Sequence, residues 1–393
     1  MTVSVHDLTA QALIQAACER SGLTDFGGDD FREPLEQYVA GLRDNADAYS
    51  AGGARQIFAE LVRALESRLA ITDYIRRNPA VAHERISRPV FITGLYRSAT
   101  TKLQNLLCAD PRWLHVQTWQ AGDPVPLPGA VGEGEDPRIE ICRTRLAYMA
   151  QAARQAFLAH PLAATDPSEE YSLMTPSFRI VDAKQFSPAY VDWIETQSKV
   201  PVYRDLHRAL QVLQHQFKRR DIDEQRFCLK APIHLGNLDA LLEVFPDAKI
   251  LVTHRDPFPA IHSYSMVRES LRGMYMEKVD ARVLGAEILE RSARALDSFL
   301  EVRSAKPDHF LDLAFPDVVS RASELIESIY AFVQSPVTAD AKRALLTEDA
   351  RREEHRSGAD RRDPGHYGLS PAAVHRRTRA YMNWAARNVG DIS

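Results

Sequence analysis

At 393 residues, the chain is long for one domain and short for three. Its 45% hydrophobic and 26% charged residues are typical of a soluble globular protein, and its formal net charge of −4 argues against a general nucleic-acid or membrane-surface binder. Any anion site must therefore be a local pocket.

The cysteine pattern fits a reduced compartment, and the apolar segments indicate neither a signal peptide nor a membrane span. The four cysteines are far apart and form no C-x-x-C pair, so they give no zinc signature. The first twenty residues lack the basic and apolar regions of a signal peptide, and no run approaches the length of a membrane span. We expect a cytoplasmic protein with no membrane span, no bound metal and no nucleic-acid partner, and we leave a homo-oligomer open.

Residues 7–80 are predicted to be mostly helical, because their apolar positions recur at spacings of three and four. This segment contains no catalytic pattern. We therefore expect a helical N-terminal extension, residues 1–85, that packs on the core or against a partner. The remainder, residues 86–393, is predicted to be one α/β domain.

From residue 88 onward the pattern alternates between strands and helices. Residues 88–94 form a short apolar run that ends in glycine, which fits a strand buried in a parallel sheet, and residues 98–108 have helical spacing. Further strands are predicted at 226–230, 249–254 and 309–313. Further helices are predicted at 138–158, 186–218, 234–245 and 371–388, the last after an exposed loop at 351–371. This order predicts a P-loop-like, three-layer α/β/α fold with a mostly parallel sheet.

The first candidate anion site is the loop 94–101, between a strand and a helix. A Walker A motif would need Gly-Lys-Ser/Thr at positions 99–101, which hold Ala-Thr-Thr here, so ATP chemistry is disfavoured. Arg97 supplies a fixed positive charge at a helix start, where unsatisfied N–H groups favour an anion. The loop also carries three hydroxyls, on Ser98, Thr100 and Thr101. The alternative is a well-capped helix without a ligand.

The second candidate site follows the strand at 249–254. Arg255 comes directly after it, and Ser263 lies eight residues later. The carboxyl ends of parallel strands open onto one crevice, so Arg255 is expected at its mouth and Ser263 within reach of the same anion. Two anion sites on neighbouring strand ends suit a ligand with two separated phosphates. Arg255 and Asp256 could instead form a structural ion pair, and the sequence leaves both readings open.

Taken together, these residues resemble the sulfotransferases that use 3′-phosphoadenosine-5′-phosphosulfate (PAPS), specifically the bacterial branch with a helical N-terminal extension. The loop 94–101 is similar to that branch's G-L-P-R-S-G-T-T, and residues 230–235 are similar to its K-[SA]-P-x-H-L. Residues 245–250 are similar to F-P-D-A-x-I. Residues 254–257, with Ser263, are similar to H-R-D-P and its later serine. The resemblance covers nearly the whole chain.

The resemblance implies a donor site for PAPS that works without a metal. It implies that the 94–101 loop binds the 5′-phosphosulfate, with Arg97 as its basic residue. It further implies that Arg255 and Ser263 bind the 3′-phosphate. The residues that it places where the family closes over the nucleotide are His355, Arg356 and Gly358.

The donor loop departs from the family pattern in two places, and a third unusual residue follows it. Tyr96 replaces the usual proline, and Ala99 replaces a glycine where the backbone must approach phosphate closely. If that glycine needs a positive φ, Ala99 carries strain or the loop has shifted. Lys102 stands where an apolar or aromatic residue is common, and it either adds charge for the donor or is merely solvated.

Sulfuryl transfer needs charge neutralisation at the leaving phosphate and a base at the acceptor hydroxyl. We assign Arg97 to the leaving phosphate. His234 is the preferred base because it follows a strand end and titrates near neutrality, although it could simply be a helix-start histidine bonded to backbone. Lys230 would orient the sulfuryl oxygens, and Glu169 or Glu170 is the rival base.

The acceptor is predicted to be a small molecule with a hydroxyl and an apolar or aromatic body. Trp119 lies in a rigid, partly apolar stretch, and Tyr171 and Phe178 lie on an insertion that would cover the crevice. The same aromatic residues could instead be core. Two other functions stay open: a nucleotide-dependent phosphotransferase of P-loop type, and a non-catalytic nucleotide-binding module.

Overall fold

A parallel sheet lies at the centre of the computed structural model, which describes residues 4–127, 134–159, 161–181, 184, 187–219, 221–222, 224–353 and 363–393. Within those residues its strands are β1 (Val90–Gly94), β2 (Trp113–Leu114), β3 (Arg226–Lys230), β4 (Lys249–His254) and β5 (Phe310–Ala314). Their order across the sheet is β2-β3-β1-β4-β5, and all neighbouring pairs are parallel.

Helices surround the sheet. Before β1 come α1 (Ala10–Ser21), α2 (Arg32–Arg43) and α3 (Ala51–Arg77). Between β1 and β3 lie α4 (Thr100–Cys108), α5 (Thr118–Gly122), α6 (Pro137–Ala152), α7 (Arg154–Ala159), α8 (Tyr171–Met174), α9 (Pro188–Glu195) and α10 (Val200–Phe217). After β3 come α11 (Leu238–Val244), α12 (Pro257–Arg272), α13 (Ala281–Ala305), α14 (Phe315–Ser320), α15 (Ala322–Phe332), α16 (Ala339–Glu353), α17 (Pro371–Arg377) and α18 (Arg379–Asn388).

The side chains of β1 show why the molecule has three layers. All five residues of this strand are buried. Phe91 packs into one apolar cluster, while Val90 and Ile92 pack into another. Since successive side chains of a strand point to opposite faces, the two clusters lie on opposite sides of the sheet. The predicted three-layer, mostly parallel architecture is confirmed.

The N-terminal helices form an apolar cluster of their own and dock on the segment after α12. Residues of α1, α2 and α3 pack together with Tyr275. Gly53 lies so close to the carbonyl oxygen of Tyr275 that a Cβ would stand 2.0 Å from it. The helical N-terminal extension is present, whereas the division of the chain at residue 85 into two domains stays a prediction.

Several predicted helices begin, end or break at other residues. The helix predicted at 234–245 starts later, because Pro232–Gly236 forms a 3₁₀ turn and α11 begins at Leu238. The predicted final helix breaks at Thr378, whose hydroxyl bonds back to the carbonyl oxygen of Val374. The edge strand β2 was not predicted from the sequence. Among the described residues, no helix is long and apolar enough to cross a membrane.

Candidate active site

The 94–101 loop joins β1 to α4 at the carboxyl edge of the sheet. Arg97 has a φ of 68° and Ala99 a φ of 66°, both in the left-handed region that residues other than glycine rarely use. Ala99 lies directly before α4. Ala99 therefore keeps a conformation suited to glycine. Of the two outcomes that the sequence left open, strain at Ala99 or a shifted loop, the structure shows the strain.

The start of the loop touches β4. A Cβ on Gly94 would lie 2.4 Å from the carbonyl oxygen of Thr253, so only glycine fits there. Ser98 is fully buried; its hydroxyl donates to the carbonyl oxygen of Leu95 and lies 2.7 Å from the Thr253 hydroxyl. The Ser98 side chain thus fastens the loop to β4, and its contribution to an anion site would come from its backbone N–H.

Arg97, Ser263 and Arg255 meet at this edge. Arg97 Nε donates to Ser263 Oγ at 3.2 Å, and the Arg255 guanidinium donates to the carbonyl oxygen of Arg97. The Arg255 guanidinium also lies 4.1 Å from the centroid of the Phe315 ring. Residues that the sequence placed on two neighbouring strand ends therefore lie in contact with one another.

Both guanidinium groups are partly withdrawn from water. Burial lowers the pKa of Arg97. Burial also lowers the pKa of Arg255, and the adjacent charge of Arg97 lowers it further. Two neighbouring, partly buried cations favour the binding of an anion, which would offset their burial and their repulsion.

The other residues at the start of α4 point elsewhere or are buried. Lys102 Nζ donates to the carbonyl oxygen of Val319 at 2.7 Å and pairs with Asp349 at 3.0 Å. These contacts hold α4 to the end of α14 and to α16, and the role of Lys102 at the donor stays a prediction. Thr100 is buried and Thr101 half-buried, in the first turn of α4.

His234 lies in a sealed hydrogen-bond chain beside the end of β3. Its Nδ1 is 2.9 Å from the hydroxyl of Tyr203, and its Nε2 is 2.5 Å from Glu170 Oε1. The other oxygen of Glu170 accepts the backbone N–H of Lys230 at 3.0 Å. The His234 and Glu170 side chains are 0% exposed. Both ring nitrogens are occupied, so His234 is not placed to take a proton from an acceptor in this structure.

Glu169 is the carboxylate of this group that reaches solvent. Its Oε1 pairs with Lys230 Nζ at 2.8 Å, and its side chain is 30% exposed, whereas Lys230 is 1% exposed. The pair therefore lies at the boundary between the buried strand end and the surface. A carboxylate in this position has the access that His234 and Glu170 lack.

Two tyrosine rings stack beside Arg97 and Ser263. Tyr96, directly before Arg97, stacks on Tyr264, directly after Ser263, with ring centroids 3.9 Å apart and planes inclined by 5°. Burial raises the pKa of Tyr96 well above its usual value, and electrostatic interaction with Tyr264, Glu169 and Tyr171 raises it further. The stack joins the 94–101 loop to α12.

The sequence model of the sulfotransferase family matches residues 89–339. The chain belongs to the sulfotransferase family. Sulfotransferase STF1 from Mycobacterium tuberculosis H37Rv superposes with a TM-score of 0.79 at 26% identity, covering 95% of this chain and 99% of that one. Sulfotransferase STF9 from Mycobacterium avium has the same fold, with a TM-score of 0.84 at 24% identity and 96% coverage of both chains.

Curated sulfotransferases are similar over a shorter stretch. The chain is 24% identical over 258 residues to omega-hydroxy-beta-dihydromenaquinone-9 sulfotransferase Stf3, from both Mycobacterium bovis and Mycobacterium tuberculosis. The match covers 62% of this chain and 61% of those proteins. The chain therefore spans about three fifths of the length of these relatives.

Two aromatic residues assigned to the acceptor lie in other parts of this sulfotransferase fold. Trp119 packs between Arg138, 4.5 Å away, and Phe217, 5.5 Å away, in a separate small core. Phe178 is buried in the cluster of the N-terminal helices, 6.2 Å from Tyr38. Both rings are buried in apolar clusters, and their assignment to the acceptor stays a prediction. Tyr171 alone of the three lies near the site. The residues His355, Arg356 and Gly358 lie outside the described residues.

Sequence reasoning missed Tyr203 and Tyr264. Tyr264 directly follows Ser263, and its stacking partner Tyr96 directly precedes Arg97, so adjacency to two predicted site residues was the available signal. Tyr203 gave no comparable signal, because it lies on α10 and reaches His234 only through the tertiary fold.

Proposed function

We propose that this protein transfers a sulfuryl group from PAPS to a hydroxyl of a small molecule. The observation that carries the proposal is the meeting of Arg97, Ser263 and Arg255 at the edge where β1 and β4 end. Membership of the sulfotransferase family supports it. The phosphotransferase alternative is disfavoured because the loop has no Walker lysine.

The donor is proposed to lie along this edge. The first N–H groups of α4 and the Arg97 guanidinium fit a 5′-phosphosulfate, since a helix N-terminus favours an anion. Arg255 and Ser263 fit a 3′-phosphate, because they combine a planar cation with a hydroxyl at one point. The Arg97–Ser263 hydrogen bond supports a donor site in which these two groups are neighbours.

In the reaction, a new bond forms between sulfur and the acceptor oxygen, and the bond between sulfur and the phosphate oxygen breaks. The acceptor proton passes to a base, and negative charge builds on the departing phosphate. Arg97 is proposed to neutralise that charge, a role whose loss typically costs about 10²–10³ in rate. Lys230 is proposed to attract the sulfuryl oxygens.

We assign the base to Glu169 rather than to His234. His234 is buried and hydrogen-bonded at both ring nitrogens, which supports a structural role. In that role it orients Glu170, which in turn is bonded to the end of β3. The exposed fraction of Glu169 and its contact with Lys230 support a role at the acceptor. Glu170 stays a second candidate, because it is bonded to the same strand end.

An apolar or aromatic acceptor fits the stacked rings of Tyr96 and Tyr264 and the nearby Tyr171. The relative Stf3 carries a hydroxylated dihydromenaquinone in its name, which agrees with an apolar acceptor here. Cytoplasmic location, independence from metal, the absence of a nucleic-acid partner and a possible homo-oligomer stay predictions.

The proposal is tested with the full chain, PAPS and two probe alcohols, 2-naphthol and farnesol. We expect a sulfated product and adenosine 3′,5′-bisphosphate (PAP) in equal amounts, at a rate unchanged by EDTA. PAP at 100 times its Kd should stabilise the fold by about 2.7 kcal/mol, and ADP should stabilise it less. Stabilisation by PAP without turnover of either alcohol would favour a binding module, and magnesium-dependent ATP turnover would favour a phosphotransferase.

A further inference from the structure

The segment 371–393, which contains α17 and α18, contacts consecutive residues at the end of β4. Tyr381 contacts His254, while Ile392 and His375 both contact Asp256. Arg255 lies between these two contacted residues. The segment therefore encloses the backbone from which the Arg255 side chain extends.

The contact at His254 is a continuous chain of hydrogen bonds. His254 is 1% exposed; its Nδ1 lies 3.1 Å from the Tyr381 hydroxyl, and its Nε2 lies 2.9 Å from Asp312 Oδ1. Arg303 holds the other oxygen of Asp312. Because an ionised carboxylate only accepts, Nε2 carries a proton and donates it to Asp312.

Tyr381 holds the residue that directly precedes Arg255. Its side chain is 1% exposed, and its hydroxyl is bonded to the His254 ring. The Asp312 carboxylate fixes the same ring at its other nitrogen. The backbone that leads into Arg255 is therefore held through His254.

The contact at Asp256 fixes the backbone on the other side of Arg255. Its backbone N–H donates to the carbonyl oxygen of Ile392 at 2.7 Å, and its carboxylate is 2.8 Å from His375 Nε2. The same carboxylate caps α12 by accepting the Phe258 N–H at 2.8 Å. Asp256 therefore connects Arg255 to α12, the helix that carries Ser263, and the segment 371–393 holds this connection in place.

We infer that Tyr381 is a positioning residue, which holds the Arg255 backbone so that its guanidinium meets the 3′-phosphate of the donor. The inference rests on the proposed function, because it takes Arg255 as the 3′-phosphate ligand. A planar guanidinium binds phosphate well only within a narrow range of positions, so a fixed backbone at Arg255 raises affinity by preorganisation.

The test compares the affinities of PAP and AMP, which differ by the 3′-phosphate alone. The ratio of their Kd values measures how much the 3′-phosphate contributes to affinity. A general loss of stability would leave this ratio unchanged. Tyr381→Phe keeps the ring and removes the hydroxyl. We expect the PAP-to-AMP preference to fall about fivefold to tenfold, the size of one lost hydrogen bond, with the AMP affinity unchanged.

Tyr330→Phe is the matched control. The Tyr330 hydroxyl is also buried in a hydrogen-bond network, with Asp110 and Trp113, but this network does not include the end of β4. The Tyr330→Phe variant should lower stability and leave the PAP-to-AMP preference unchanged. Retention of the wild-type preference in Tyr381→Phe, or an equal loss in Tyr330→Phe, would overturn the inference.

Arg255→Met separates this inference from the proposed function. It should abolish the preference for PAP over AMP. If Arg255→Met leaves the preference intact, Arg255 is not the 3′-phosphate ligand, and the donor assignment itself fails. If Arg255→Met abolishes the preference while Tyr381→Phe does not change it, only the positioning role fails.

Discussion

At the scale of single residues, the 94–101 loop combines a strained backbone with firm anchors. Ala99 adopts a φ of 66°, which costs an L-residue about 1–2 kcal/mol relative to a right-handed conformation. Ser98 and Gly94 hold the loop against β4 through a hydroxyl pair and a close backbone approach. These contacts explain how the loop keeps its shape although alanine replaces the glycine of the family pattern.

We expect Ala99→Gly to keep or raise stability. Relief of the left-handed strain, about 1–2 kcal/mol, should offset the roughly 0.5–1 kcal/mol that glycine usually costs through chain entropy. Denaturant unfolding measures the change. The matched control is Ala109→Gly, at a φ of −68°, which should lose stability. Equal losses in both variants would show that Ala99 is not strained.

The base assignment predicts different outcomes for three neighbouring side chains. Glu169→Gln should lower kcat for 2-naphthol by about 10²–10⁴, because it removes the proton acceptor, and leave PAP affinity unchanged. His234→Gln should mainly lower the melting temperature, since it disturbs the buried chain to Glu170 and Tyr203. Full activity in Glu169→Gln together with loss of activity in Glu170→Gln would move the role to Glu170.

Residue types and order predicted which side chains meet, but not how each is used. Arg97, Arg255 and Ser263 could be grouped from the sequence because the ends of parallel strands share one edge. The engagement of His234 could not be predicted, since its partner Tyr203 lies on α10 and burial depends on the whole fold. Lys102 likewise finds Asp349 on α16, a partner 247 positions along the chain that no local pattern indicates.

At the scale of elements, strands were easier to predict than helix ends. The β1, β3 and β4 segments are short apolar runs because helices cover both faces of the sheet, and that burial is visible in the sequence. The breaks within the long helical segments depend on local bonds, such as the Thr378 hydroxyl to Val374, which spacing does not reveal. The burial of Trp119 and Phe178 in apolar clusters could not be predicted, because core aromatics and ligand-binding aromatics look alike in a sequence.

The docking of α3 on the segment after α12 gives a test at this scale. Gly53→Ala would place a methyl group 2.0 Å from the Tyr275 carbonyl oxygen, and we expect a loss of about 1–3 kcal/mol or more of stability from the overpacking. Gly52→Ala is the control, since its Cβ would have no neighbour closer than 3.8 Å. Thermal unfolding should show the first variant destabilised and the second unchanged or stabilised; equal effects would contradict the described contact.

At the scale of the whole molecule, two distant parts of the chain contact the stretch from the end of β4 to the end of α12, which carries Arg255 and Ser263. The segment 371–393 contacts the start of this stretch, at His254 and Asp256. The N-terminal helices contact the region beyond its end, where Ser50 donates to the Tyr275 carbonyl oxygen. The helical extension and the segment 371–393 thus both support the proposed donor site without contributing to the sheet.

A structure of the protein soaked with PAP would show whether Arg97 and Arg255 bind one nucleotide. We expect one nucleotide at the carboxyl edge of the sheet, with its 5′-phosphate at the N–H groups of the 94–101 loop beside Arg97. Its 3′-phosphate should contact Arg255 and Ser263. A nucleotide bound elsewhere, or one that touches only one of the two arginines, would contradict the claim that they form a single donor site.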